Sequence, residues 1–122
     1  MITFNDFQKI EIKVGTILSA EKVEGSEKLL KLSVDFGEEK TRQVVSGIAK
    51  TFPPAGGKEK LISKQFLFVT NLEPRSIMGL ESQAMILATH KPKKTTLSAS
   101  ETGEEIILTK PTKKIPNGSK LG

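Results

Sequence analysis

The chain has 122 residues, a formal charge of +5 and no cysteine, so it can hold neither disulfides nor zinc-thiolate sites. This length suits one domain with a single core, and the apolar stretches are far shorter than a membrane span. The first residues, M-I-T-F-N-D-F, lack the layout of a signal peptide, which predicts a cytoplasmic location and no membrane partner.

The positive charge is concentrated in the last quarter of the chain. Residues 1–90 carry 12 Lys and Arg against 11 Asp and Glu, a net of +1, whereas residues 91–122 carry 7 against 3, a net of +4. Such a surplus of positive charge favours a polyanionic partner. It is explained equally well if the lysines only keep a C-terminal extension soluble. The residues concerned are mainly Lys91, Lys93, Lys94, Lys113 and Lys114.

The N-terminus has the pattern of a short helix. Thr3 and Asp6 have the spacing of an N-cap and an acid in the first turn, which predicts a helix over residues 3–9. A helix of this length needs tertiary packing to form. We therefore expect Phe4 and Phe7 to face inward.

A strand is predicted next, because apolar and charged residues alternate from residue 10 onward. Its inner face consists of Ile10, Ile12 and Val14, and the strand continues as far as Leu18. A glycine within a strand is typical of a bulge or a sharp bend, so Gly15 predicts a corner of a small barrel.

The clearest strand lies between residues 30 and 36, where every second residue is apolar. Gly37 then supplies the geometry of a turn into an antiparallel strand over residues 41–46. The shared inner face of the first strand consists of Leu30, Leu32, Val34 and Phe36.

Two further apolar runs, residues 65–72 and 85–89, complete a set of five short strands. The polar segment between them, residues 71–85, is expected to be a loop at the rim of the sheet, where binding sites are common. This order predicts an all-β fold, a five-stranded Greek-key barrel of the OB type with a short N-terminal helix. Composition alone leaves an SH3-like barrel or a small sandwich open.

The last part of the chain differs in character from the rest. We interpret residues 1–90 as the barrel and residues 91–122 as an extension with one or two further strands, within a single domain. The apolar run Ile106, Ile107 and Leu108 should be covered by the barrel or by a second subunit.

No arrangement of residues predicts catalysis, a cofactor or a metal. His90 is the single histidine, so it has no second histidine with which to form a metal site. The acidic pairs at residues 38–39 and 104–105 are more simply explained as solvated turn residues than as catalytic pairs. The glycines of A-G-G-K match neither a phosphate-binding nor a dinucleotide-binding loop. These observations favour a binding module without enzymatic activity.

Base stacking is a weak option for nucleic-acid binding, because the chain lacks Trp and Tyr. Phe36, Phe66 and Phe68 have core-like positions, and Phe4 and Phe7 are expected to pack. Phe52 is left as the free aromatic candidate, with packing as its alternative role. Contacts to phosphates and 2′-hydroxyl groups of a folded RNA fit the composition better. The basic residues that could line such a surface are Lys13, Lys28, Lys31, Arg42, Lys64 and Arg75.

Four motifs resemble the tRNA-binding domain family in sequence and in order. They are D-F-x-K-I-E-I-K-V-G from Asp6, E-G-S-E-K-L-L-K-L from Glu24, R-Q-V-V-S-G-I from Arg42, and N-L-x-P-R-x-I-x-G-x-x-S-x-x-M from Asn71. The family includes C-terminal domains of methionyl-tRNA synthetases, stand-alone tRNA-binding proteins and the domain of endothelial monocyte-activating polypeptide. The final P-N-G-S-K-L also resembles the synthetase version.

The resemblance implies an OB fold, a homodimer, and binding of tRNA by its shape, either free or beside the catalytic domain of a methionyl-tRNA synthetase. It places four residues in the binding loop. Three of them have an alternative, structural role: Asn71 could be a turn residue, Ser82 a cap and Met85 a core residue. The loop residues are Asn71, Arg75, Ser82 and Met85, the nearby residues are Lys28, Lys31 and Arg42, and the auxiliary candidates are Lys13, Lys64, Lys91, Lys93 and Lys94.

The loop departs from the family where charge is expected. Family members commonly have Lys at the positions where this chain has Glu73 and Ser76. They commonly have Arg where it has Met78, and Gly where it has Ala84. Fewer positive charges predict weaker phosphate contact. The segment from Asn71 to Gly79 also resembles the CsaA-type export chaperones, which bind polypeptides on the same barrel, so a chaperone is the alternative function.

Overall fold

A computed structural model describes the backbone of residues 1–92 and 104–122; the predicted contacts of Lys93 and Lys94 lie outside the described residues. The described part has one α-helix, a 3-10 turn at Lys58–Lys60 and ten strands. These are α1 Phe4–Gln8, β1 Ile12–Lys22, β2 Leu30–Asp35, β3 Arg42–Ser46, β4 Gln65–Val69, β5 Arg75–Ile77, β6 Leu80–Ser82, β7 Met85–Ile86, β8 Ala88–Pro92, β9 Glu104–Leu108 and β10 Lys120–Leu121.

Five strands form a nearly closed, barrel-like sheet in the order β3-β2-β1-β4-β7, with all neighbours antiparallel. The long first strand serves both halves, because its N-terminal part pairs with β4 and its C-terminal part with β2. Closure between β3 and the chain before β7 comes from Gln83 N–H, which donates to the Gln43 carbonyl at 2.8 Å. The predicted all-β OB-type barrel is confirmed.

The core lies inside this sheet and follows the predicted alternation. Leu30, Leu32, Val34 and Phe36 are all at most 2 % exposed. The rings of Phe36 and Phe68 meet edge to face with centroids 5.1 Å apart, a favoured aromatic geometry. Gly37 has φ +76°, which confirms its predicted role in the turn after β2.

The bend of β1 is real, but its cause differs from the prediction. The register with β2 shifts between Ile17 and Ser19, so Leu18 is the bulged residue and is 48 % exposed. Gly15 is needed for another reason: a Cβ there would lie 2.7 Å from both the Phe36 ring and Val34. Ile10 was predicted to face the core and is 41 % exposed, because β1 begins only at residue 12.

The helix forms as predicted, but its aromatic residues do not reach the core. Thr3 Oγ1 accepts from Asp6 N–H and Asp6 accepts from Thr3 N–H, which is a complete capping box. The predicted inward packing of Phe4 and Phe7 is wrong, since Phe4 is 69 % exposed and Phe7 only half-buried. Phe52 packs against the core instead of lying free.

The C-terminal segment is attached to the barrel at several points. Within β9, which pairs with β8, Ile106 and Leu108 pack against the core while Ile107 is 45 % exposed. Further on, β10 pairs with the first residues of β1, and Gly118 N–H donates to the Val14 carbonyl at 2.8 Å. The extension and the barrel therefore share backbone hydrogen bonds.

Candidate nucleic-acid interface

The segment expected to be a rim loop contains a small β-hairpin. Arg75 pairs with Ser82 and Ile77 with Leu80, so β5 and β6 are joined by the two residues Met78 and Gly79. Both linking residues have positive φ, +50° and +80°, as a two-residue hairpin turn of the primed type requires. The segment is thus ordered by its own backbone pairing.

Two of the predicted site residues hold this hairpin onto the barrel. The amide of Asn71 accepts from Glu11 N–H at 2.8 Å and donates to the Lys9 carbonyl at 2.7 Å. Ser82 is buried, and its hydroxyl accepts from Val45 N–H at 3.0 Å and donates to the Ala84 carbonyl. Both side chains satisfy backbone groups that the loop would otherwise leave unpaired.

Arg42 connects three segments of the barrel wall. Its guanidinium forms a bidentate ion pair with Glu38, donates to the carbonyls of Thr70 and Gln83 at 2.6 and 3.2 Å, and lies 5.4 Å from the Phe36 ring centroid. These hydrogen bonds from Arg42 lower the pKa of the Glu38 carboxyl. The charge of Arg42 is therefore already engaged within the protein.

Lys13 and Lys31 are also paired with carboxylates. Lys13 Nζ lies 3.4 Å from Glu11, and Lys31 Nζ lies 3.3 Å from Glu21. A hydrogen bond from the Thr70 hydroxyl is the main cause that lowers the pKa of Glu11, which keeps that carboxylate charged. Two of the predicted basic contacts thus have part of their charge neutralised locally.

Strand pairing brings the remaining candidates to one face. Lys31 is opposite Val45, Val45 N–H donates to Ser82, and Ser82 is opposite Arg75. Lys31 on β2 is thus connected to Arg75 on β5 through β3 and β6. Lys28 is exposed in the turn before β2.

The same turn approaches the tip of the hairpin. A Cβ added at Gly25 would lie 3.6 Å from Met78 Cε, so the two loops are in contact. Lys28 follows Gly25 by three residues and therefore belongs to the same rim as the hairpin. Lys28, Lys31 and Arg75 thus lie on one edge of the barrel.

A cavity of about 290 Å³ opens between the hairpin and the end of β3. Its walls are largely apolar, and Met85 is 47 % exposed at its edge, not in the core. Arg75 and Glu73 are the charged residues that line it. The lining includes Val45, Leu72, Glu73, Arg75, Ile77 and Met85.

Two of the auxiliary candidates, Lys64 and Lys91, lie elsewhere on the barrel. Lys64 precedes β4, at the end of that strand away from the hairpin, and lines a separate groove. Lys91 is exposed on β8 opposite Glu105. Gln83 also helps to close the barrel, because its side-chain Oε1 accepts from the backbone N–H of Gln43 at 2.8 Å. Sequence reasoning did not identify this pair, since the two positions are 40 residues apart.

In residues 1–92 and 104–122 no three acidic or histidine side chains are grouped as a metal ion would require. No helix in that part of the chain is long and apolar enough to cross a membrane.

Comparisons with known proteins identify the family. The family model "Putative tRNA binding domain" matches residues 12–120. The chain belongs to the tRNA-binding domain family. It is 45 % identical over 120 residues to the methionine–tRNA ligase of Caldanaerobacter subterraneus subsp. tengcongensis, which covers 98 % of this chain and 16 % of that enzyme.

Solved structures give the same fold. A MetRS-related protein from Pyrococcus horikoshii superposes with a TM-score of 0.80 at 33 % identity, covering 100 % of this chain and 98 % of that protein. The chaperone CsaA from Bacillus anthracis str. Ames superposes with a TM-score of 0.76 at 28 % identity, covering 100 % and 99 %.

The chain spans only 12 to 16 % of the length of the methionine–tRNA ligases it matches. The similarity to these enzymes thus concerns a small region, and the family model for that region is a binding domain. The chain therefore corresponds to a tRNA-binding region of these enzymes and not to their catalytic region. The resemblance inferred from the four sequence motifs is confirmed.

Proposed function

We propose that this domain binds tRNA by shape and backbone charge through the edge formed by Lys28, Lys31 and Arg75, and that it acts free or joined to a methionyl-tRNA synthetase. The family match over residues 12–120 carries the proposal. Shape recognition suits the site, because exposed stacking aromatics are missing from this edge among the described residues.

Arg75 is the central residue of the proposed contact. It is exposed on β5, forms no ion pair among the described residues, and is held in place by the hairpin. A guanidinium without an internal carboxylate can bind a phosphate with two parallel hydrogen bonds. Arg42, by contrast, would have to leave Glu38 to do so.

Replacing Arg75 tests the proposal directly. Arg75→Ala should weaken binding of unfractionated tRNA and reduce the log-log salt slope by about 0.7 to 0.9, the value for one phosphate contact. Fluorescence anisotropy at several salt concentrations measures both quantities. Lys40→Ala is the matched control, since Lys40 is exposed in the turn before β3 and its substitution removes the same charge. Equal effects of the two variants would contradict the role of Arg75.

The cavity favours polypeptide binding as the second candidate function. Its apolar walls, with Leu72, Ile77 and Met85, could accept a hydrophobic side chain, and a CsaA chaperone has the same fold. A chain that fails to bind tRNA at low salt but binds an unfolded polypeptide would establish this alternative. Met85→Lys should then abolish polypeptide binding.

The proposal includes a homodimer, as the family resemblance implies. An apolar patch near both ends of the described chain supports it: Phe4, Ile10 and Leu121 are 69, 41 and 45 % exposed. They line a depression of about 140 Å³ that a second copy could fill. Burial of such a patch is the usual source of association energy.

Sedimentation tests the dimer. The unmodified chain should be dimeric at tens of micromolar, where about −8 kcal/mol of association free energy is sufficient. Phe4→Asp should produce a monomer, whereas Leu18→Asp, at a similarly exposed leucine on β1, should leave the dimer intact. A monomeric unmodified chain at that concentration would refute the proposed dimer.

A further inference from the structure

A second basic surface lies at the other end of β4 from the hairpin. It is an open groove of about 600 Å³ between the residues that lead into β4 and the segment that follows β9. One wall contains Lys60, Ser63 and Lys64, and the other contains Lys110, Thr112, Lys113 and Lys114. None of these residues lines the cavity beside the hairpin.

The groove has an unusual charge. Five lysines line it and no carboxylate does, so it holds five of the 19 basic residues of the chain. All five are exposed, and none forms an ion pair among the described residues. Glu59 lies next to Lys60 in the 3-10 turn but is not part of the lining.

Both walls are held in place by hydrogen bonds. On one side Ser63 N–H donates to the Ile17 carbonyl at 2.7 Å and Ile17 N–H donates to the Lys64 carbonyl at 3.1 Å. On the other side Gln65 Nε2 donates to the Ile115 carbonyl at 2.6 Å, and Ile115 N–H donates back to Gln65 Oε1 at 3.1 Å. The two lysine-rich segments, 50 residues apart in sequence, therefore cannot easily separate.

Holding like charges together is unfavourable unless an anion compensates them. The groove is open along its length and has flexible ammonium groups on both walls, together with the hydroxyls of Ser63 and Thr112. Exposed point charges in an open groove suit a chain of phosphates. A site for a small anion would instead enclose the anion with buried hydrogen-bond donors. The chemistry therefore favours a sugar-phosphate backbone.

The position of the groove agrees with a long polyanion. Gln65 begins β4 and lines the groove, whereas the segment carrying the hairpin starts after Val69, at the far end of the strand. That length of strand is about 13 Å. A folded RNA is much larger than this distance and can contact both surfaces at once.

We infer that the lysine groove is a second binding surface for the sugar-phosphate backbone of tRNA, in addition to the edge that carries Arg75. This inference rests on the tRNA binding proposed above. It also assigns a role to Lys113 and Lys114, whose charge the sequence alone left equally explained by solubility.

The double variant Lys64→Gln/Lys114→Gln tests the groove by removing one charge from each wall. It should reduce the log-log salt slope of tRNA binding by about 1.5, for two contacts, and lower the affinity roughly 10-fold at 0.1 M salt. Lys22→Gln/Lys40→Gln is the control, because these lysines are exposed and lie outside the groove. Their substitution removes the same net charge. Equal losses in both double variants would overturn the inference.

Backbone NMR spectra during a tRNA titration separate this inference from the proposed function. Shifts at residues 60–66 and 110–114 together with the hairpin support both. Shifts confined to residues 71–85 would overturn the groove and leave the proposed edge in place. Shifts confined to the groove, with Arg75→Ala unchanged in affinity, would refute the edge but support the groove, and no tRNA binding at all would overturn both.

Discussion

Arg42 was predicted as a tRNA contact, and its surroundings give it a structural task. It joins Glu38, the Thr70 carbonyl after β4 and the Gln83 carbonyl before β7. Sequence could identify the basic residue but not these partners, because the two carbonyls lie 28 and 41 residues away. A contact of Arg42 with tRNA stays a prediction, and it would require the loss of an internal ion pair.

The ion pair of Arg42 with Glu38 predicts a pH dependence of stability. Because the pKa of Glu38 is lowered in the folded state, its contribution is complete above the unfolded value near 4.5 and is lost as the pH falls through the folded value. Glu38→Gln should therefore cost about 1 kcal/mol at pH 7, allowing for solvent screening, and almost nothing near pH 2. Urea unfolding at both pH values measures the difference.

The adjacent Glu39 provides the control for this prediction. It is exposed and forms no ion pair among the described residues, so Glu39→Gln should change the free energy of unfolding by less than about 0.5 kcal/mol at either pH. If Glu38→Gln costs the same at both pH values, the carboxylate of Glu38 is not the stabilising group.

Asn71 and Ser82 show the same limit of sequence reasoning in another form. Both were named for a binding loop, with a turn or capping role as the alternative, and both make hydrogen bonds to backbone groups that are distant in sequence, just before β1 and within β3. The residue types indicated that local backbone groups would be satisfied, but the partners are 60 and 37 residues away. The motif therefore records the shape of the loop as much as its chemistry.

At the scale of single elements, periodicity predicted what is local. The alternation over residues 30–36 placed all four inner residues correctly, because side chains of a strand point to opposite faces in turn. The same reasoning misplaced Ile10, which precedes the first paired residue of β1. The hairpin β5–β6 was missed because polar three-residue strands have no apolar alternation to reveal them.

The packing of β1 on β2 makes Gly15 a sensitive position. Gly15→Ala should cost about 1 to 3 kcal/mol, the usual range for overpacking, because its methyl group would meet the Phe36 ring and Val34 at 2.7 Å. Denaturant unfolding measures this cost. Gly47→Ala is the matched control, as a Cβ there has no neighbour within 4 Å, and it should leave stability within about 0.5 kcal/mol.

A cost at Gly15 no larger than that at Gly47 would show that β1 and β2 can move apart to admit a methyl group. The bulge at Leu18 would then be the flexible point, since the register with β2 shifts there. A large cost would instead fix the glycine of the K-V-G motif as a packing requirement of the barrel.

At the scale of the whole molecule, the C-terminal segment is the part whose structure the sequence predicted least well. Its charge and its apolar run were recognised, and attachment to the barrel or to a partner was expected. The actual attachment uses Gln65, Thr16 and Asn117, whose polar side chains meet between the barrel and the segment. Such a junction has no periodic signal, because its members come from three separate parts of the chain.

Asn117 is the residue on which this junction depends. Its Oδ1 accepts from the Thr16 hydroxyl at 2.7 Å and from Gln65 Nε2 at 2.9 Å. Asn117→Ala should lower the free energy of unfolding by about 1 to 3 kcal/mol, because the half-buried Thr16 hydroxyl loses its acceptor and Gln65 Nε2 keeps only the Ile115 carbonyl. Thr112→Ala, at an exposed position of the same segment, should change it by less than about 0.5 kcal/mol.

The same variant links the junction to the lysine groove. If the junction holds residues 110–114 beside residues 60–66, Asn117→Ala should speed amide hydrogen exchange at Val14 and Gly118 more than at Leu32 in the core. It should also weaken tRNA binding, although no positive charge is removed, because the two lysine walls would lose one of the contacts that fix their spacing. Unchanged exchange and unchanged tRNA affinity would mean that the Gln65–Ile115 hydrogen bonds and the pairing of β10 with β1 are sufficient to fix the segment.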